Sequence, residues 1–234
     1  MSKSIGCIIS CYNEEHNIIK LVTNIVELNL DKKINFVLVN NASTDETNKI
    51  FKELENKYKD IKFVTNNIDK GWGYGIKFGL QFINTDIVGW THSDLQYEMK
   101  DLLKVLDIIN NENLDRNKNF LVKGNRVKRK FSDKFISFMM QLLCSFILKK
   151  NLKEINAQPV FINIEQLKKF NLPDGLEMDL YVYYKCIKNN SKIIRMEVIQ
   201  HERNYGTSSW NSNFLSKIQL AFKFLKHAID IKNG

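Results

Sequence analysis

Asp94 stands between His92 and Gln96 at the end of the stretch Thr85–Gln96. Ile87, Val88 and Trp90 suit a buried strand, and the polar residues follow directly. In an extended chain, residues two apart point to one side. The spacing therefore predicts an imidazole, a carboxylate and an amide on one face. A carboxylate there is a candidate seat for a divalent metal that holds phosphate oxygens. The competing reading is a turn in which Ser93 and Asp94 cap a helix starting near Met99.

The elements that must position this group alternate. Ser4–Ser10, Ile34–Asn40 and Ile61–Thr65 read as strands, and Thr85–Gln96 supplies the fourth. Helical patterns follow the first three: Ile18–Leu28, a segment after Thr47 to about Tyr58, and Ile76–Ile83. Asn66–Gly75 reads as a polar, glycine-rich turn. Such alternation predicts an α/β fold, a Rossmann-like, mostly parallel sheet with helices on both faces. Ligands then bind at the carboxyl ends of the strands. Four polar loops should meet there: Cys11–Glu15, Asn40–Thr47, the turn after the third strand, and His92–Gln96.

The remainder is less regular. Leu102–Ile109, Phe131–Leu148 and Leu176–Lys188 read as helices, and Phe120–Gly124 and Lys192–Gln200 as strands. Pro159 predicts that Glu154–Ile164 runs at a sheet edge or a bulge. Asn213–Ile231 is a basic amphipathic helix. The expected division is 1–97 for the nucleotide-binding part, 98–212 for the acceptor side, and 213–234 for the C-terminal helix.

The chain has 234 residues, with 44% hydrophobic and 26% charged, and a net charge of +9. This is a globular composition with a basic balance, suited to phosphorylated ligands or an anionic membrane face. Outside Lys123–Phe131 no basic block interleaves with aromatics, so nucleic acid is not expected as a partner. Cys7, Cys11, Cys144 and Cys186 form no C-x-x-C pair and read as reduced, buried thiols in a cytoplasmic protein. No signal peptide and no bilayer-spanning run is expected. Phe135–Leu148 and the C-terminal helix could place the protein peripherally at the inner face of the membrane, or simply pack on the core.

Six motifs occur in one order: Tyr12-Asn13-Glu14-Glu15, the N-x-S-x-D-x-T run Asn41–Thr47, Lys70-Gly71-x-Gly73, Ser93-Asp94-Leu95-Gln96, Gly124-Asn125-Arg126, and Arg203-x-x-Gly206-x-Ser208. In this the chain resembles a family 2 glycosyltransferase of GT-A fold, with a closer likeness to the polyprenol-phosphate (dolichol-phosphate mannosyltransferase-like) branch. The likeness covers about Ser4 to Trp210. It implies a nucleotide-diphospho-sugar donor, Mn2+ or Mg2+ on the diphosphate, inversion at the anomeric carbon, and a polyprenyl phosphate or a sugar of a surface glycan as acceptor.

The resemblance also assigns roles. Tyr12, Asn13 and Glu14 would lie against the nucleoside. Asn41 stands where an acid commonly meets the base. Lys70 and Gly71 would approach the diphosphate, since glycines admit the backbone and helix N-termini attract anions. Ser93-Asp94 continues that contact. Asp94 and Gln96 match the metal motif, with His92 in place of its first acid; an imidazole suits Mn2+ better than Mg2+. Arg126 and Arg203 would converge on the acceptor phosphate as two guanidinium forks. Asp179, or else Glu177, would be the base if the acceptor is a hydroxyl. A phosphate acceptor is already an anion and requires none.

Each residue also has a structural reading: an aromatic plug for Tyr12, helix-start acids for Glu14, Asp45 and Asp179, a solvated loop for Lys123–Lys130. Two other functions fit the same fold: a non-catalytic sugar-nucleotide or glycan-binding module, favoured by His92 and Asn41, and a nucleotidyltransferase.

Overall fold

The computed structural model describes residues 3–31, 33–115, 117–129, 131–203 and 214–233. In chain order the elements are β1 (Ile5–Cys11), α1 (Ile18–Leu28), β2 (Asn35–Asn41), α2 (Thr47–Lys57), β3 (Lys62–Asn66), α3 (Trp72–Gly79), β4 (Ile87–His92), α4 (Asp101–Asn111), β5 (Phe120–Val127), α5 (Phe131–Leu148), β6 (Val160–Asn163), α6 (Ile164–Leu167), α7 (Met178–Lys188), β7 (Lys192–Ile199) and α8 (Phe214–Asn233).

The strands form one sheet in the order β3-β2-β1-β4-β6-β5-β7. β1 pairs in parallel with both β2 and β4, and β2 with β3. The order reverses between β1 and β4, which creates the crevice where such sheets bind ligands. Beyond β4 the pattern changes: β6 pairs antiparallel with β4 and with β5, and β5 pairs in parallel with β7.

Both faces of the sheet are covered, which is why its strands read as continuous apolar runs. Ile9, Leu38, Val122 and Phe161 point into one core, packed by α1, α2 and α4. Ile8, Val39, Trp90 and Ile162 point into the other, packed by α3, α5, α7 and α8. The expected α/β fold is therefore the observed one.

Three local expectations change. Pro159 does not mark an edge: β6 begins just after it and lies inside the sheet between β4 and β5. The proline lacks a ladder donor, but it precedes the strand, and its carbonyl accepts from Gly124 N at 3.0 Å. Gly124-Asn125-Arg126 is not a loop, because β5 continues to Val127 alongside β7. The glycine-rich run is not a turn either, since α3 starts at Trp72 with Gly71 as its N-cap.

Candidate active site

The four parallel strands bring their C-terminal ends to one rim, and the loops after β1, β2 and β4 are tied together there. Glu14 is the central knot. Its Oε1 accepts from Ser93 Oγ at 2.9 Å, and its Oε2 accepts from Asn17 Nδ2 at 2.7 Å. Ser93 Oγ also reaches Ser10 O at 3.2 Å. Burial pushes the Glu14 carboxyl up, against the opposing hydrogen bonds from Asn17 and Ser93. Asp94 and Arg203 are close enough to act on it electrostatically. Glu14 thus splices the first loop to the fourth.

Asp94 is buried and carries the second knot. Its Oδ2 accepts from Arg203 Nη2 at 2.6 Å, and its Oδ1 accepts from Gln96 N at 3.2 Å. The latter is a local turn rather than the expected helix cap, since α4 starts at Asp101 with Lys100 as N-cap and no capping side chain. Leu95 has φ 57, so the extended alternation ends there. His92, Asp94 and Gln96 consequently do not share one face. The His92 ring lies 5.2 Å from Trp72 and 6.3 Å from Tyr97, centroid to centroid. Gln96 Nε2 donates to His201 O at 3.1 Å.

Among the described residues no group of three His, Cys, Asp or Glu side chains could hold a metal. The donors present fit a divalent ion in one form only: Asp94 as a single carboxylate, completed by phosphate oxygens and water. Mg2+-type sites are commonly built this way.

The nucleoside side is more open. Tyr12 is 48% exposed. Asn13 adopts φ 54 and is fixed to the second loop, with its Oδ1 accepting from Thr44 N at 2.8 Å. Asp45 anchors the same junction by accepting from Glu15 N at 3.2 Å and Thr47 N at 3.0 Å. Asn41 is buried: its Nδ2 donates to Gly71 O at 3.1 Å, and its Oδ1 accepts from Asn66 Nδ2 at 2.8 Å. The amide couples β2, β3 and the start of α3, so both ends are engaged within the fold.

The glycines of α3 answer to packing. A Cβ on Gly75 would lie 2.2 Å from Ser10 Oγ, and one on Gly73 would lie 2.7 Å from both Pro173 O and Gly175 O. Gly71 sits at φ 106, where side chains are strained. Tyr74 N already donates to Asp174 O at 2.8 Å. The run therefore lets a helix press on β1 and on the 173–175 loop. Lys70 lies outside this contact, over the Tyr74 ring at 5.1 Å.

Asp179, the candidate base from the sequence, lies in a buried polar group whose other members no motif announced. Asp179 accepts from Trp90 Nε1 at 2.9 Å and from Gln158 Nε2 at 2.5 Å. Burial pushes its carboxyl up, against the favourable pull of Lys123, Trp90, His92 and Gln158. Lys123 is fully buried and donates to Ala157 O at 2.9 Å. Burial lowers its pKa to about 7. Glu177 Oε1 accepts from Gly175 N at 3.3 Å, while its Oε2 lies buried 3.3 Å from His227 Nε2 without a hydrogen bond. The signals missed in the sequence were Lys123 in an otherwise apolar strand and Gln158 before Pro159. Buried side-chain atoms without a protein partner also occur here, Trp72 Nε1 and Gln158 Oε1.

The two arginines are each paired within the fold. Arg126 Nε donates to Glu154 Oε2 at 2.5 Å, and its guanidinium also bonds the Tyr97 hydroxyl. Arg203 pairs instead with Asp94. Each fork is held by its own carboxylate. Gly206 and Ser208, named with Arg203 in the sixth motif, lie outside the described residues.

With this geometry in place, the family model for "Glycosyl transferase family 2" matches residues 7–159, more than half of the chain. The protein belongs to glycosyl transferase family 2. Its sequence is 26% identical over 200 residues to an uncharacterized protein of Methanocaldococcus jannaschii, covering 80% of this chain and 83% of that one. Among solved structures it is similar to glucosyl-3-phosphoglycerate synthase of Mycobacterium tuberculosis. In complex with phosphoglyceric acid, that enzyme superposes with TM-score 0.72 at 14% identity, over 98% of this chain and 81% of that chain. Its complex with Mn2+, uridine diphosphate and phosphoglyceric acid gives 0.70 at 14% identity, over 98% and 77%. Its complex with Mg2+ and uridine diphosphate gives 0.69 at 14% identity, over 98% and 80%. These likenesses carry the GT-A fold. The knots at Glu14 and Asp94 are thus the rim of a GT-A glycosyltransferase sheet.

Proposed function

We propose that this family 2 glycosyltransferase moves a sugar from a nucleotide-diphospho-sugar to a polyprenyl phosphate, with inversion and with Mn2+ or Mg2+ as cofactor. The observation that carries the donor side is the buried Glu14–Ser93 and Asp94–Arg203 set at the β1/β4 switch point. Mn2+ and Mg2+ accompany uridine diphosphate in the structurally similar mycobacterial enzyme. In this reading Tyr12 stacks on the base, and Asn13 and Glu14 shape the loop beneath it. Lys70, Gly71 and Ser93 flank the diphosphate. Asp94 is the carboxylate beside the diphosphate, with His92 and Gln96 next to it. When bound, the metal offsets the charge that builds on the leaving diphosphate. Arg203 orients Asp94 and sets a guanidinium beside the same charge. Trp72 Nε1 and Gln158 Oε1 are a donor and an acceptor without partners, suited to sugar hydroxyls.

The acceptor is chosen on the carboxylates. Asp179 holds each oxygen in a hydrogen bond, to Trp90 and Gln158, as a framework group does, and Glu177 Oε2 lies 3.3 Å from His227 Nε2 without a hydrogen bond. An acceptor that is already anionic needs no base. The polyprenyl phosphate is preferred to a glycan hydroxyl because it asks nothing of Asp179.

The test is transfer assayed over a panel of nucleotide-diphospho-sugars with polyprenyl phosphate or an oligosaccharide, in Mn2+, Mg2+ or EDTA. Turnover on the lipid phosphate that EDTA abolishes is expected. A second reading, a non-catalytic sugar-nucleotide-binding module, is favoured by His92 in place of an acid. Thermal stabilisation by a donor with no turnover on any acceptor would establish it instead.

A further inference from the structure

Helix α5 is apolar on two opposite sides, and the protein covers only one of them. Met140, Cys144 and Leu148 are buried against α8, where Phe224 and Ala228 face them. The other side carries Phe135, Phe138, Leu142 and Phe146 at helical spacing, all more than half exposed, with Phe146 at 82%. Phe222 of α8 is exposed as well, at 67%. A cleft of ≈ 500 Å³ opens between the ends of the two helices, lined by Phe146, Ile147, Ile229, Lys149 and Lys232. A helix apolar all round is normally buried all round, and a contiguous exposed patch marks an interaction surface.

We propose that the α5/α8 face docks on an anionic lipid bilayer. Charge selects this occupant. Phe131–Lys153 and Phe214–Asn233 together carry eight lysines against two aspartates. That balance attracts an anionic surface and sets a second copy of the same face against itself. No helix among the described residues is long and apolar enough to cross a membrane. The face therefore lies in the interface, with phenylalanines at the acyl boundary and lysine stems reaching back to headgroups. The sequence pattern pointed to both helices as docking elements, and the structure leaves an exposed aromatic row on α5 after its Met140, Cys144 and Leu148 side packs on Phe224 and Ala228 of α8. The inference concerns the surface alone and holds whichever acceptor the site takes.

The test is flotation of the full chain with vesicles of phosphatidylcholine, with and without phosphatidylglycerol, all free of polyprenyl phosphate. Binding to the anionic vesicles at low salt is expected, with little on the neutral ones. Phe138→Glu/Phe146→Glu changes two exposed positions, so circular dichroism should match wild type while binding falls at least ~10-fold, in line with the lost apolar insertion. Lys149→Glu/Lys232→Glu should weaken binding by a comparable factor without touching the aromatics. Absence of wild-type binding, or binding unchanged in the Phe variant, overturns the proposal. So does a wild-type dimer in analytical ultracentrifugation that the Phe variant converts to monomer.

Discussion

The two sides of the β4 strand treat charge in opposite ways. On the β1 side, Glu14 and Asp94 sit at strand ends, where loops meet and a ligand can approach. On the β6 side, Asp179 and Lys123 lie inside the fold, capped by Trp90, Gln158 and the Ala157 carbonyl. The first arrangement is also buried and fully hydrogen-bonded, but it lies where the loops open to the sheet edge. The second is expensive unless every partner is present. Similar residue types thus sit at the open sheet edge on one side and hold the framework on the other.

Asp94→Ala is the sharpest way to break this comparison. Transfer should fall on the order of 10³-fold, as when a key electrostatic group is lost, with little change in melting temperature. Retained turnover in a steady-state assay would move the centre elsewhere. Asp179→Ala should do the reverse. It strands Trp90 Nε1, Gln158 Nε2 and Lys123 in the interior and should cost about 3 kcal/mol in urea unfolding. Asp179→Asn, if it keeps activity on a lipid phosphate, confirms that no base is required there; selective loss of turnover in a folded protein would restore Asp179 as the base.

Gly73→Ala tests whether the α3 glycines serve packing. With carbonyls of the 173–175 loop at 2.7 Å from a new Cβ, overpacking should cost about 2 kcal/mol without any nucleotide present. A variant of unchanged stability but weakened donor binding would favour the phosphate-loop reading. The effect of pH reports on Lys123 through a difference. Its folded pKa of about 7 lies below the ordinary 10.5, so between these values the unfolded chain holds a proton that the native one lacks. The Lys123 contribution to stability should therefore rise with pH from about 7, while the buried thiols of Cys7, Cys11, Cys144 and Cys186, whose pKa values burial pushes up, act in the opposite sense once free thiols ionise. Lys123→Met should remove the Lys123 part, read as the wild-type-minus-variant difference between about pH 6 and about pH 8.5 in denaturant titrations. Trp90→Phe, which deletes one hydrogen bond to Asp179, is the smallest step at about 1 kcal/mol.

Much of the β1 side was legible. Apolar runs followed by polar loops recur there at βα spacing, and parallel pairing forces those loops to one edge. That logic placed Glu14, Ser93 and Asp94 together at the rim. It left Gly71–Gly75 open, because a glycine-rich string reads alike whether it admits a phosphate or a neighbouring backbone. It failed at His92 and Gln96 because period-two spacing presumes an extended chain, and Leu95 turns it. The β6 side was hard to read since its pairings join residues far apart in sequence. Nothing in Lys123 or Gln158 names Asp179 as a neighbour.

The sequence by itself determined the α/β class, the family motifs and the rim on which they meet, because these depend on local periodicity and on the geometry of parallel sheets. Only the tertiary structure decided which carboxylate faces which cation. Arg126 went to Glu154, Arg203 to Asp94 and Lys123 towards Asp179, since the pairing of charges depends on distances across the sheet. It also decided which side of α5 remains uncovered, because a helix with two apolar faces does not itself say which one the core will take.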